Sequence, residues 1–217
     1  MPVVRFWGST IGKKVVMAVT GIVLLGYILA HVTGNLLIFV GASAIDSYAA
    51  KLRELPALLW GVRVLLLVSV VLHVVAAAQL AIRARAARPM AYNRFDPQAS
   101  SVASRTMRWG GVAILLFVIY HILHFTTGHA HPAFIHLAPY HNVTTAFRVW
   151  WIAGIYIAAM AALALHLYHG TWSMFQTLGI EHERVNPARR RLATVIAVLV
   201  PLGFVSVPIA VLLGVIR

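Results

Sequence analysis

The chain has 217 residues, of which 61% are hydrophobic, 11% are charged and none is cysteine. Soluble domains carry about a quarter charged residues, so this composition excludes one and points to an all-α integral membrane protein of a single domain. The missing cysteines exclude disulfides, thiol catalysis and iron–sulfur ligation by this chain. The net charge of +13 lies beside apolar stretches rather than along a polar face, which suits lipid headgroups and a protein partner better than nucleic acid.

Five stretches approach or exceed the roughly 20 residues that cross a bilayer. They run over Val15–Val40, Leu58–Ile82, Trp109–Thr127, Val149–Phe175 and Leu192–Ile216. The first is too long, and lacks the small-residue cleavage site, of a secretory signal. The second holds Arg63 near its start, where its head can reach the interface. Turn-rich or charged segments such as Arg88-Pro89-Met90 and Asn93-Arg94-Phe95-Asp96-Pro97 separate the second and third. The fifth carries Pro201 and Pro208, which a membrane helix packed on neighbours tolerates. No internal repeat or low-complexity tract occurs.

Lysines and arginines divide thirteen to five between the two sides of this arrangement. The richer side carries Arg5, Lys13 and Lys14, the arginines from Arg83 to Arg108, and Arg184 to Arg191. The positive-inside rule therefore predicts a cytoplasmic N-terminus and an outer C-terminus.

His31, His73, His121 and His166 each fall in a different one of the first four stretches. An ionisable group at such depth is a functional-site candidate by default. A rise of about 1.5 Å per residue puts His31 ~15 Å and His121 ~10 Å below the outer boundary, with His73 ~22 Å and His166 ~25 Å deep. Two pairs emerge, His31 with His121 in the outer half and His73 with His166 in the inner half. Two facing imidazoles are what a haem iron takes on its two axial sides, and a haem so ligated moves electrons rather than binding oxygen. The competing reading makes each histidine a hydrogen-bonding link between helices, or a proton carrier, in a non-redox membrane protein.

Small residues near these positions, namely Ala76–Ala78, Ala158, Ala159, Ala161, Ala162 and Gly34, would admit a flat macrocycle or simply close helix packing. His124 and His169 each lie three residues beyond a preferred ligand and share its face in a regular helix. Depth leaves both choices open. The outer loop adds His129, His131, His136 and His141, a conceivable zinc site without a carboxylate or cysteine nearby.

The run His166-Leu-Tyr-His-Gly-Thr-Trp-Ser-Met-Phe-Gln-Thr-Leu-Gly-Ile180 resembles the fourth-helix signature of the cytochrome b subunit of succinate dehydrogenases and fumarate reductases. The resemblance is to the five-helix, di-haem, single-anchor class. Ser9-Thr-Ile-Gly-Lys-Lys-Val-Val-Met-Ala-Val-Thr-Gly21, His31-Val-Thr-Gly-Asn35 and Tyr140-His-Asn142 resemble the same family in the same order.

The resemblance implies that His31 and His121 ligate the distal haem, and His73 and His166 the proximal one. It favours His121, thirteen residues after Arg108, and His166, four before the Gly170-x-Trp172-Ser173 element. It further implies a flavoprotein that oxidises succinate and an iron–sulfur protein that relays electrons, both docked on the cytoplasmic face of a bacterial inner membrane. Electrons would then pass through two b haems to menaquinone, and this chain would not bind the dicarboxylate. A cytochrome b serving another dehydrogenase is the alternative. Candidate propionate partners are Lys13, Lys14, Arg105, Arg108 and Trp109. Candidate quinone contacts are Asp46, Glu54 and His141 outside, and Ser9 or Trp172 inside.

Overall fold

In hydrocarbon every backbone amide must be satisfied within its own segment, which leaves this chain no option but helices. The computed structural model describes residues 2–87 and 101–217; the predicted turns at 88–90 and 93–97 lie outside them. The described residues form helices and short connections, with no strand.

A short α1 (Pro2–Gly8) leads into α2 (Thr10–Asn35), which continues through a 3₁₀ turn to Phe39. Next come α3 (Ala42–Arg53) and α4 (Pro56–Ala86). After the undescribed segment, α5 (Val102–His121) runs on through a π turn over Ile122–Thr126. The chain ends with α6 (Pro139–Phe147), α7 (Trp150–Thr177) and α8 (Asn186–Leu212). Among the described residues five helices are long and apolar enough to cross a membrane, and they correspond to the five predicted stretches.

Two spans begin earlier than their apolar runs because polar caps start them. Ser9 is extended and its Oγ accepts from the Gly12 amide at 2.8 Å, so α2 opens at Thr10. Ser101 does the same for the Ser104 amide at 3.1 Å, opening α5 at Val102 rather than Trp109. Each satisfies one of the donors that a helix start leaves free. The last helix passes through Pro201 and Pro208 without ending.

Two amphipathic helices at the His31–His121 end of the bundle, α3 and α6, were not predicted. They are linked to each other: Asp46 Oδ1 accepts from the Tyr140 amide at 3.0 Å, capping α6 from outside its own segment. The preceding loop is tied down by Asn142, whose side chain accepts from the Ile135 amide and donates to the Ile135 carbonyl, both at 2.8 Å.

Packing divides the bundle. The most extensive contact joins α7 to α8. It rests on a stripe at helical spacing, with Ile152, Tyr156, Met160, Leu163, Leu167 and Thr171 buried on α7. Small residues Ala193 and Ala197 are buried on α8. A second close pair is α2 with α4, and a third is α5 with α7. Among the described residues α4 packs closely on α2 and α3 and on no other helix. A seam therefore runs between the α2–α4 pair and the α5–α7–α8 group, bridged mainly by α2. Outward, α4 shows Leu58, Trp60, Val64, Leu65, Leu67, Val68 and Val71, as a lipid-facing surface would.

Candidate histidine site in the helix seam

Both histidine pairs sit in this seam. His31 of α2 and His121 of α5 have ring centroids 5.9 Å apart. His73 of α4 and His166 of α7 are 6.3 Å apart, although their helices do not pack closely on each other. The ten residues from Tyr156, beside the outer pair, to His166 put the two levels ~15 Å apart along α7.

The inner pair is sparsely furnished. His73 Nδ1 lies 3.1 Å from Thr20 Oγ1. The Thr20 hydroxyl donates to the Val16 carbonyl at 2.8 Å, so its oxygen is free to accept from the imidazole. That fixes the proton on Nδ1 and leaves Nε2 open. His166 Nδ1 is buried without a partner. Gly21 and Gly111 border these rings: a Cβ would lie 3.6 Å from His73 Cε1 at one and 3.8 Å from His166 Cε1 at the other. Anything larger than alanine would press on the Cε1 edge of the ring.

The outer pair is embedded in aromatic side chains. Tyr27 stacks on His31 at 5.3 Å and Phe204 lies 5.7 Å from it. Phe117 and Phe125 flank His121 at 5.9 and 5.8 Å. The Asn35 amide is 3.5 Å from His31 Nε2, the outer limit of a hydrogen bond. Tyr156 Oη stands between His121 Nδ1 at 3.4 Å and His124 Nδ1 at 2.9 Å.

His121 and His124 both reach Tyr156 Oη, but their surroundings differ. The π turn, with the Thr127 amide bonded to the Ile122 carbonyl at 3.0 Å, widens the helix just after His121. An i→i+5 turn holds one residue more than the regular turn, so a side chain three positions on is swung farther round. His124 is 0% exposed and stacks between Tyr120 at 5.1 Å and His131 at 4.9 Å. His131 is itself held, with Nε2 2.9 Å from the Asn142 carbonyl oxygen. Among the described residues no group of three His, Cys, Asp or Glu side chains could hold a metal ion, the outer histidines included.

The pairs fit a flat, bis-imidazole-ligated group. With a metal–nitrogen bond of about 2.0 Å and a ring radius of about 1.1 Å, imidazoles on opposite sides of one ion have centroids ~6.2 Å apart. The inner pair stands within about 0.1 Å of that separation and the outer pair about 0.3 Å inside it. The seam between helix groups and the glycines at the inner ring edges suit a group that the chain itself does not supply.

The remaining candidates are scattered. Lys13 is buried, with Nζ bonded to the Trp7 carbonyl and set 4.8 Å over the Trp7 ring. Lys14 lines a cavity of 370 Å³ at the inner end with Ile11, Met17, Ser173, Gln176 and Thr177. Arg105 and Arg108 are exposed, and Trp109 is 80% exposed. Ser9 serves as a helix cap and Asp46 as the brace of α6, while Glu54 and His141 are exposed. Trp172 lies under two guanidinium groups, Arg189 at 4.4 Å and Arg190 at 4.8 Å. Gly34 does not open space for a ligand: a Cβ there would stand 2.9 Å from the Tyr48 ring, so it admits α3 instead.

Thr20 and Tyr156 escaped the sequence reading, which followed histidines alone. The depth arithmetic would have found Tyr156 but not Thr20. Tyr156 comes seven residues after Val149, ~10 Å deep like His121, whereas Thr20, eleven residues inward of His31, comes out at ~31 Å against ~22 Å for His73.

Comparison with known proteins gives one match. A family model described as succinate dehydrogenase/fumarate reductase transmembrane subunit matches residues 82–205. No individual curated protein and no solved structure matches. The matched segment takes in His121, Tyr156 and His166 and covers more than half of the chain. This multi-pass helical protein therefore belongs to the succinate dehydrogenase/fumarate reductase transmembrane subunit family.

Proposed function

We propose that this chain is the di-haem cytochrome b anchor of a succinate:quinone oxidoreductase. The observation that carries the reading is the pair of imidazole pairs at two depths of one seam, at 5.9 and 6.3 Å, in a member of this family. His31 and His121 would hold the outer b haem, and His73 and His166 the inner one. When bound, such groups supply one-electron transfer between the iron–sulfur subunit and a membrane quinone, taken here to be menaquinone.

The chain's own residues do the holding and the insulating. Thr20 keeps the His73 proton on Nδ1 so that Nε2 is left free to ligate. Tyr27 and Phe204 wall His31, and Phe117 and Phe125 wall His121. An apolar wall keeps water off an axial ligand and so influences potential as well as stability. The basic inner ends of α2, α4, α5 and α8 supply a surface for the flavoprotein and iron–sulfur partners at the cytoplasmic face, in a bacterial inner membrane with the C-terminus outside.

Pyridine haemochrome analysis of the purified complex tests the reading. Two b haems per chain are expected, with part of the absorbance reduced by succinate and the rest by dithionite. A haem-free complex would overturn it. Haem that succinate cannot reduce would assign the chain to a different dehydrogenase.

A further inference from the structure

The aromatic cluster around the outer pair contains polar atoms that haem ligation alone does not use. This inference rests on the reading above that His121 gives its Nε2 to the outer haem. Its Nδ1 then keeps the proton and must find an acceptor. The acceptor in reach is Tyr156 Oη at 3.4 Å. A phenol carries one proton, and an oxygen accepting from His121 sends its own elsewhere. The partner on that side is His124 Nδ1, at 2.9 Å the shorter of the two contacts. His124 must therefore carry its proton on Nε2, which is buried and has no partner.

This line is rigidly held. The Tyr156 ring is gripped edge-on by Phe117 at 5.0 Å and Phe147 at 4.9 Å. His124 is clamped between two stacked rings, one of which is anchored to the outer loop through Asn142. Burying an imidazole with a single polar contact is costly, so a bland packing role would favour an apolar residue at 124. The inner pair has no counterpart, because the Thr20 proton returns to the backbone of its own helix. We infer that Tyr156 and His124 form a hydrogen-bonded relay, His121 to Tyr156 to His124, that orients the outer ligand and lowers the reduction potential of the outer haem. Both are positioning residues. A stronger acceptor on Nδ1 makes the ligand more basic and favours the oxidised iron. His124 strengthens that acceptor by drawing the phenol proton towards itself.

Potentiometric titration of the two haems in the assembled complex is the test. Tyr156→Phe keeps the ring and deletes the oxygen. It should retain both haems, leave the inner midpoint in place and raise the outer one by about three- to tenfold in equilibrium constant, ~30–60 mV for one electron. His124→Leu should shift the outer midpoint the same way by less. His124→Asn, whose amide oxygen can take the phenol proton, should restore it. Tyr156→Phe with His124→Leu should shift no further than Tyr156→Phe alone, since the residues act in series. An outer midpoint unmoved by both single variants, or equal shifts in both haems, overturns the relay while the di-haem reading stands. Loss of the outer haem in His124→Leu with retention in His121→Ala overturns the ligand assignment itself. If Tyr156→Phe fails to assemble, the Leu and Asn pair at 124 decides by the presence or absence of the shift and its rescue.

Discussion

The two histidine pairs solve one problem with different materials. The inner pair stands in open surroundings, with one threonine hydroxyl on His73, nothing on His166 Nδ1, and glycines along the ring edges. The outer pair is packed into a continuous aromatic cluster that reaches from Tyr27 through His121 and Tyr156 to His131. Orientation at the inner level rests on a single hydrogen bond and on space. Orientation at the outer level rests on ring packing, where interlocked aromatics contribute about 0.5–1.5 kcal/mol per pair beyond area burial. Single changes should therefore act locally at the inner pair and spread through neighbours at the outer pair.

The largest expected effects come from the ligands. His73→Ala should remove the inner haem and His31→Ala the outer one, each halving haem per chain by pyridine haemochrome. The contrast breaks if either variant loses both haems, or if the two lose the same redox component. Next is Gly203→Ala, whose Cβ would come within 2.7 Å of Val32 Cγ2, between the helices that present His31 and Phe204. Overpacking of this kind costs about 1–3 kcal/mol. The thermal midpoint of the complex should fall and the outer haem spectrum broaden while the inner is spared; an inner change of equal size would count against locality.

Thr20→Val leaves the His73 Nδ1 proton without an acceptor, at a cost of about 1–3 kcal/mol. The inner midpoint should rise, with Thr20→Ser restoring it, and an unchanged potential would show that the bond does not tune His73. The smallest effect belongs to Asp46→Ala, which removes the brace between α3 and α6 at a cost of about 0.5–2 kcal/mol. Proteolysis of the outer loop should quicken with both haem potentials unmoved. A shifted outer potential would extend the aromatic cluster's influence to α3.

Much of this was legible in the sequence because hydrocarbon imposes simple rules. Apolar runs located the five spans, and constant helical rise aligned the histidines in depth. The span starts were misjudged by several residues because Ser9 and Ser101 cap helices in polar sequence, where hydropathy has no signal. Helices α3 and α6 went unseen for the opposite reason, being too polar to read as spans and too short to show a firm period. Gly34 allowed either a macrocycle or close helix packing, and the packing is with Tyr48, a contact across 14 positions that no local pattern predicts. The choice between His121 and His124 stayed open because spacing arguments assume a regular helix, and the π turn breaks that assumption at the residue where it matters.

The same turn bears on how this chain aligns with its relatives. A π turn accommodates one residue more than an α turn over the same axial length. Deleting position 125 or 126 would let the segment relax to regular helix without moving its ends far. The residue now at 124 would then rotate back towards the face of His121 and compete for the seam. Relatives one residue shorter in this stretch should therefore carry something other than histidine there, and an alignment forced through without a gap would pair the wrong imidazoles.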